Sequence, residues 1–159
     1  MTDLPQRKPN RLPLFDYSLP YLYFITICTA EKRHMLGRVV EASTAHPAYV
    51  ELSSFGKTVE AAILDIPKHY TAAEVVKYVV MPNHLHLLLW IRETGEQAPT
   101  VSRIIQQMKG KVTKELGASI WQKGFLDHVI RGHADYQEIW TYIENNPLKW
   151  TLDRYYREE

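Results

Sequence analysis

Residues 81–91 (MPNHLHLLLWI) constrain the fold of this chain more than any other stretch. Polar and apolar positions alternate, with His84 and His86 on one face, and this period of two predicts a half-buried β-strand. The opposite face is wholly apolar: Leu85, Leu87, Leu89 and Ile91. The two imidazoles therefore point the same way with Cα atoms about 6.5–7 Å apart, so both rings can converge on one metal ion. The structural alternative is a pair of half-exposed histidines bonded to backbone or water.

Composition places the chain among ordinary globular proteins. Its 159 residues suit one domain, with 45% hydrophobic and 23% charged residues. The single cysteine, Cys28, excludes an internal disulfide framework and fits a reducing compartment. No apolar run is long enough for a membrane span and the N-terminus is polar, so we predict a cytoplasmic protein without a membrane partner. The net charge of +1 produces no overall basic field.

The predicted elements follow the order β-α-β-β-α-β-α. Residues 1–20 carry four prolines and are expected to form an extended basic arm, followed by a single domain over 21–159. Strands are predicted over 21–29, 74–81, 84–91 and 127–131, with one short strand around 37–41. Helices are predicted over 52–66 with Ser53 or Ser54 as N-cap, over 102–116 ending at Gly117, and from Asp135 (a capping box with Glu138) to 145–147. This order predicts an α+β, ferredoxin-like (RRM-like) antiparallel sheet with helices on one face, a C-terminal helix and a free second face.

The predicted C-terminal helix places a phenol and a carboxamide on one side. Tyr142 and Asn146 are four residues apart and so share a helix face. A phenolate oxygen can attack phosphorus and form a covalent intermediate. An amide oxygen is a hard ligand that suits Mg²⁺ or Mn²⁺. The alternative is an ordinary packing tyrosine, since the chain contains ten.

Three separated motifs resemble one family. The stretch 82–86 (PNHLH) after a hydrophobic strand resembles the histidine motif of the HUH nucleases. The runs 121–131 (WQKGFLDHVIR) and 142–150 (YIENNPLKW) resemble the small single-tyrosine transposases, and more narrowly the REP-associated tyrosine transposases. The stretch from Arg11 to Thr29 also fits that branch. The resemblance covers about residues 7–150 of the chain.

The resemblance implies a site and an activity. His84 and His86 would be the metal ligands of the HUH motif, Tyr142 the nucleophile, and Asn146 the third ligand, at a position where other members carry glutamine. The family implies a ferredoxin-like HUH catalytic domain, and no small-molecule cofactor is expected. Phosphoryl transfer and the amide oxygen favour Mg²⁺ or Mn²⁺ as the metal, although two imidazoles would also suit Zn²⁺ or Ni²⁺. It implies cleavage and rejoining of single-stranded DNA beside a foldback hairpin through a 5′-phosphotyrosine, on nucleoid DNA. Both monomers and homodimers occur among the relatives.

Further residues are predicted to contact DNA or to support the site. Basic side chains on the second helix, near the fourth strand and in the arm are the expected phosphate contacts: Lys109, Lys111, Lys114, Arg131, Arg7, Lys8 and Arg11. His128 and Asp127 are expected to support the site, and the alternative is that they pair with each other. Three aromatic residues are interpreted either as base-stacking groups or as core: Trp121, Phe125 and Trp150.

Two other functions stay open. A hairpin-binding protein that has lost catalysis would keep the fold, although all four expected groups are present. A water-using, metal-dependent phosphoesterase would need the histidines but not Tyr142. Replacement of Tyr142 by phenylalanine separates that hydrolase from the covalent enzyme.

Overall fold

A computed structural model describes residues 21–92 and 98–158. The expected arm over 1–20, including Arg7, Lys8 and Arg11, lies outside the described residues. The strands are β1 (Leu22–Cys28), β2 (Gly37–Val40), β3 (Tyr49–Leu52), β4 (Ala73–Met81), β5 (His84–Ile91) and β6 (Leu126–Val129). The α-helices are α1 (Ser54–Leu64), α2 (Ile66–His69), α3 (Val101–Leu116) and α4 (His133–Glu144). Short 3₁₀ turns span Ala30–Lys32 and Trp150–Leu152.

The main sheet is antiparallel, in the order β4-β5-β1-β6. Without the β2–β3 hairpin, the sheet strands and the long helices α1 and α3 follow the ferredoxin-like order β-α-β-β-α-β. The predicted fold is thereby confirmed. The histidine strand β5 covers the predicted residues 84–91 and lies in the middle of the sheet between β4 and β1.

One face of the sheet builds the main core. Leu85, Leu87 and Leu89 of β5 are fully buried in this core with the apolar side chains of α1 and α3. Helix α3 contributes Ile104, Ile105, Met108 and Val112. This apolar face is the one that the alternation in β5 predicts.

The opposite face of the sheet carries α4. A smaller apolar cluster joins Leu88 of β5, Ile130 and Ile143, with Phe24, Tyr136 and Ile139 packed against it. The sequence predicts that this second face is free to carry a site, and α4 covers part of it. The polar side chains of β5 and the tyrosine-bearing helix therefore meet on the same side of the sheet.

Local differences from the prediction have local causes. A β2–β3 hairpin separates β1 from α1, and its second strand was missed because four residues carry too short a pattern. Ser53 is the N-cap of α1, accepting a hydrogen bond from the Gly56 N–H at 3.0 Å. Pro67 lies in the first turn of the separate helix α2, so the predicted helix over 52–66 is split. None of the described helices is long and apolar enough to cross a membrane.

The predicted start of α4 is wrong. The helix begins at His133 after Gly132, so Asp135 lies inside the first turn and is not the N-cap. Its carboxylate instead accepts hydrogen bonds from the Arg131 N–H at 2.7 Å and from His128. The capping box predicted from Asp135 and Glu138 is therefore absent, because the sheet edge supplies the partners of the aspartate.

Candidate metal and nucleophile site

The two histidines of β5 lie in the buried centre of the sheet. His84 is 0% and His86 is 1% exposed, and their ring centroids are 4.7 Å apart. They are paired in register with Cys28 and Thr26 of β1. The alternative of half-exposed strand histidines is therefore excluded. The strand presents both rings on the face that carries α4.

Asn83 determines which nitrogen of His84 faces the site. The Asn83 amide nitrogen donates to the carbonyls of Tyr155 at 2.7 Å and Lys32 at 3.3 Å. Its Oδ1 is then the atom that lies 2.8 Å from Nδ1 of His84, so this ring nitrogen carries the proton and donates. The lone pair of His84 Nε2 is left free. Asn83 thus fixes the tautomer of His84.

His86 is held in the same way by a neighbouring strand. Its Nδ1 lies 2.9 Å from the hydroxyl oxygen of Thr26 on β1. In the Nδ1–H tautomer the ring donates to that oxygen and keeps an Nε2 lone pair. Burial, followed by the charge of His84, holds the pKa of His86 well below its usual range. Burial likewise lowers the pKa of His84 to about 4, against the opposing charge of Asp153. Both rings are therefore neutral near pH 7, as metal ligation requires.

Three polar atoms at the site are buried without a hydrogen-bond partner. They are His84 Nε2, His86 Nε2 and the Oδ1 of Asn146, which is 2% exposed. Buried polar atoms are nearly always paired, so a group of orphaned acceptors on neighbouring side chains needs an explanation. Two imidazole nitrogens and an amide oxygen are acceptors with free lone pairs, and a divalent cation satisfies all of them. The residues present therefore fit a metal.

Tyr142 stands at the edge of this group. Its ring centroid is 5.1 Å from that of His86 and its side chain is 37% exposed. The hydroxyl donates to Oδ2 of Asp153 at 2.9 Å. Burial, then the negative charge of Asp153, raises the pKa of Tyr142 well above its usual range. The phenol is therefore protonated at neutral pH and already bonded to a proton acceptor.

Asp153 is a site residue that the sequence did not reveal. Its Oδ2 accepts from Asn146 at 3.0 Å as well as from Tyr142. Ligand atoms of Asp153, His84 and His86 lie within 4.8 Å of one another. Asp153 follows α4 in a stretch without periodicity, eleven residues after Tyr142, and nothing in its spacing marks it. Asp153 reaches the site only because the chain turns back over the sheet after α4.

The segment 150–158 closes the site. The Tyr155 ring, 7% exposed, lies 4.6 Å from the His84 ring and 5.8 Å from the His86 ring, measured between centroids. Trp150 lies 6.0 Å from His84 on the same criterion. Aromatic walls of this kind keep water away from the ligands and strengthen electrostatic interactions in the site.

The basic residues predicted on α3 have mixed environments. Lys109 donates to the carbonyls of Gln122 at 3.2 Å and Gly124 at 2.9 Å, and Lys111 forms an ion pair with Asp65. Lys114 and Arg131 are exposed. Two of the predicted DNA contacts are therefore engaged by the protein itself.

The structure shows the partner of His128 and the environment of Asp127. His128 Nε2 lies 2.8 Å from Asp135, so the alternative pairing with Asp127 is wrong. Asp127 is exposed on β6. Among the aromatic residues, Trp121 (9% exposed) and Trp150 (8%) are buried, whereas Phe125 packs against the core from its edge. The core interpretation is confirmed for the two tryptophans.

The known proteins that are similar to this chain agree with the resemblance that its motifs suggest. No family model matches the sequence. An uncharacterised protein of Haemophilus influenzae is 28% identical, covering 94% of this chain and 93% of its own length. A REP-associated tyrosine transposase of Escherichia coli K12 is 34% identical over 77 residues, 48% of this chain and 45% of the relative. A solved REP-associated tyrosine transposase bound to a REP hairpin shares the fold, with a TM-score of 0.64, 20% identity, and coverage of 94% of this chain and 77% of that one. The resemblance carried by the sequence motifs is thereby confirmed.

Proposed function

We propose that this chain, a homologue of the REP-associated tyrosine transposases, is a metal-dependent single-strand DNA endonuclease and strand transferase. Its substrate is single-stranded DNA beside a foldback hairpin, and its product is a 5′-phosphotyrosine on Tyr142. The observation that carries the proposal is the group of three buried, unpartnered acceptors on His84, His86 and Asn146 next to the Tyr142 hydroxyl.

The proposed metal ligands are His84 Nε2, His86 Nε2 and Asn146 Oδ1. An amide oxygen and the phosphate chemistry favour Mg²⁺ or Mn²⁺. The Asp153 carboxylate lies within reach of the same ion. When bound, the ion supplies positive charge that polarises the scissile phosphate and orients it.

Tyr142 performs the covalent step. Its phenolic oxygen forms a bond to phosphorus while the bond from phosphorus to the 3′ oxygen breaks. The phenolic proton passes to Asp153, which already accepts that hydrogen bond, and the departing 3′ oxygen takes up a proton from water. One phosphodiester is exchanged for one phosphotyrosine, so a 3′-OH can reverse the step and no ATP is required.

Preorganisation of the site favours this chemistry. Asn83 and Thr26 orient the two imidazoles from behind, and Asp153 orients Tyr142 and Asn146 together. The two histidine ligands therefore sit on a rigid strand, while the nucleophile sits on a helix packed over it and Asn146 directly follows that helix. Such fixed positions reduce the reorganisation needed during phosphoryl transfer.

The test is formation of a covalent protein–DNA complex. The full chain is incubated with a labelled DNA hairpin carrying single-stranded flanks, with Mn²⁺, Mg²⁺ or EDTA, and resolved on a denaturing protein gel. We expect a labelled protein band that needs metal and is lost in Tyr142→Phe. Tyr136→Phe, on the same helix, is the matched control and should keep the band. Cleavage that persists in Tyr142→Phe would instead indicate hydrolysis by water, and binding without cleavage in either protein would indicate a retired enzyme.

A further inference from the structure

Three cations lie on segments that border the site: Lys149, Arg154 and Lys32. Each belongs to a segment that also holds a site residue in place. We call this set the cationic rim. None of its members lies within ion-pair distance of an acidic group in the parts of the chain that the structure describes.

Lys149 lies on the side of the nucleophile. It is exposed and lines a cavity of about 280 Å³ together with Tyr142, Asn146 and Asp153. Its backbone N–H donates to the Asn145 carbonyl at 3.0 Å, which fixes the lysine in the turn directly after α4. A strand whose phosphate reached the Tyr142 oxygen would pass this ammonium group.

Arg154 and Lys32 lie on the side of the histidines. The Arg154 guanidinium is 5.5 Å from the centroid of the Tyr155 ring that covers His84. The Lys32 carbonyl accepts from Asn83, the residue that orients His84. Lys32 has a φ of 53° and so occupies the left-handed region, which a residue with a side chain seldom adopts. Asn83 and the Thr29 carbonyl, which accepts from the Lys32 N–H at 3.0 Å, hold this turn beside the site.

Some cations elsewhere in the described residues are neutralised by ion pairs, and others, such as Lys114 and Arg131, are not. Ion pairs join Arg38 to Glu51, Arg92 to Glu74, Lys77 to Glu144 and Lys111 to Asp65. An exposed pair of this kind presents little net charge to a polyanion, whereas unpaired cations around a concave site create a local positive field. The cationic rim therefore differs from these surfaces although the chain as a whole has a net charge of only +1.

We propose that Lys32, Lys149 and Arg154 bind the phosphates of single-stranded DNA on either side of the scissile phosphate. Lys149 binds the strand on the Tyr142 side, and Arg154 with Lys32 binds it on the histidine side. This inference rests on the proposed function and names the surface that holds its substrate. It moves the expected phosphate contacts from Lys109 and Lys111, which are engaged internally, to the turns around the site.

The test is the salt dependence of DNA binding without metal. Anisotropy of a fluorescent hairpin oligonucleotide with a single-stranded flank is measured in EDTA at several salt concentrations. The proteins are the full chain and its variants Lys149→Gln, Arg154→Gln and Lys32→Gln. Each rim variant should weaken binding and reduce the magnitude of the slope of log K against log salt by about 0.7, the value for one single-strand phosphate contact. Lys57→Gln is the matched control, because Lys57 is an exposed lysine on α1, the helix that packs on the main core. This variant should leave the slope unchanged.

The outcomes separate the rim from the chemistry. Wild-type slopes in all three rim variants, or an equal loss in Lys57→Gln, would overturn the inference, as would the absence of DNA binding by the unaltered chain. Urea midpoints equal to wild type ensure that the variants are folded. If the slopes change as expected while no covalent band forms with metal, the rim stands and the proposed enzyme fails. Measurement of Lys114→Gln in parallel tests whether α3 also contacts DNA phosphates, as the sequence predicts.

Discussion

The two halves of the candidate site are built in different ways. The histidine half lies on β5 at the centre of the sheet, where His84 and His86 are fully buried and supported by Asn83 and Thr26. The second half comes from α4 and the segment after it. It is more exposed, with Tyr142 at 37%, and is attached to the sheet through the smaller apolar cluster.

This contrast separates the two histidines proposed as metal ligands, on a rigid central strand, from the proposed nucleophile Tyr142 and the proposed third ligand Asn146, on an appended helix and the turn after it. A ligand pair needs fixed spacing, which two positions on one central strand provide. A nucleophile must meet a strand of DNA and later release it, so a helix on the outer face with an open side suits it. The difference predicts that the two halves respond differently to mutation.

The largest expected effects come from the two apolar clusters. Leu87→Ala removes a fully buried side chain from the main core and should lower the free energy of unfolding by about 3–5 kcal/mol. Ile143→Ala removes the buried side chain by which α4 joins the smaller cluster, and it should lower the free energy of unfolding by about 2–3 kcal/mol and also reduce formation of the covalent complex. Urea unfolding and the gel assay measure both. If Ile143→Ala lost as much stability as Leu87→Ala and still formed the covalent complex fully, the two halves of the site would not be distinct.

A smaller effect is expected behind the histidines. Asn83→Ala removes the acceptor that fixes the His84 tautomer and leaves the carbonyls of Tyr155 and Lys32 without their donor. Loss of such a supporting partner should weaken metal binding about 10- to 100-fold. This affinity is measured by titration with Mn²⁺, in which electron paramagnetic resonance detects the free ion. Asn145→Ala, at the end of α4, is the control. If both variants bound Mn²⁺ with equal affinity, Asn83 would not support the metal site.

The smallest expected effect is a pH dependence of the metal-free protein. Burial holds the pKa of both His84 and His86 below the ordinary value of 6.5, so the unfolded chain binds protons that the folded chain does not. Stability is therefore full above about pH 6.5 and should fall as the pH is lowered toward 4, with a loss of about 1–2 kcal/mol for the two histidines together already at pH 6. Urea midpoints in chelator at pH 7, 6 and 5 test this. The profile should be shallower in His86→Gln, and an unchanged profile would place the proton uptake elsewhere.

Much of the histidine half follows from sequence alone. The alternation over residues 84–91 predicts the strand, its bounds, its buried face and the common direction of His84 and His86, because side chains in a strand alternate whatever surrounds them. The spacing of Tyr142 and Asn146 also predicts that the two side chains lie on the same side of a helix. Both are relations between residues within one element.

Relations between elements were not predictable. Asp153 reaches Tyr142 because the chain turns back after α4, and His128 bonds Asp135 rather than its neighbour Asp127 because β6 lies beside the start of α4. Lys109 and Lys111 looked free in sequence, yet neighbouring carbonyls and Asp65 engage them. None of these partners stands at a regular spacing.

The order of amino acids is enough to predict the ferredoxin-like order of elements, the histidine strand and the resemblance to the REP-associated tyrosine transposases. Those features depend on periodicity and on short motifs, which local backbone geometry enforces. The three-dimensional packing was needed to find the unpartnered acceptors of His84, His86 and Asn146, the presence of Asp153 and Tyr155 in the site, and the position of the cationic rim. These depend on which segments pack against the sheet, and packing is set by contacts between residues far apart in the chain.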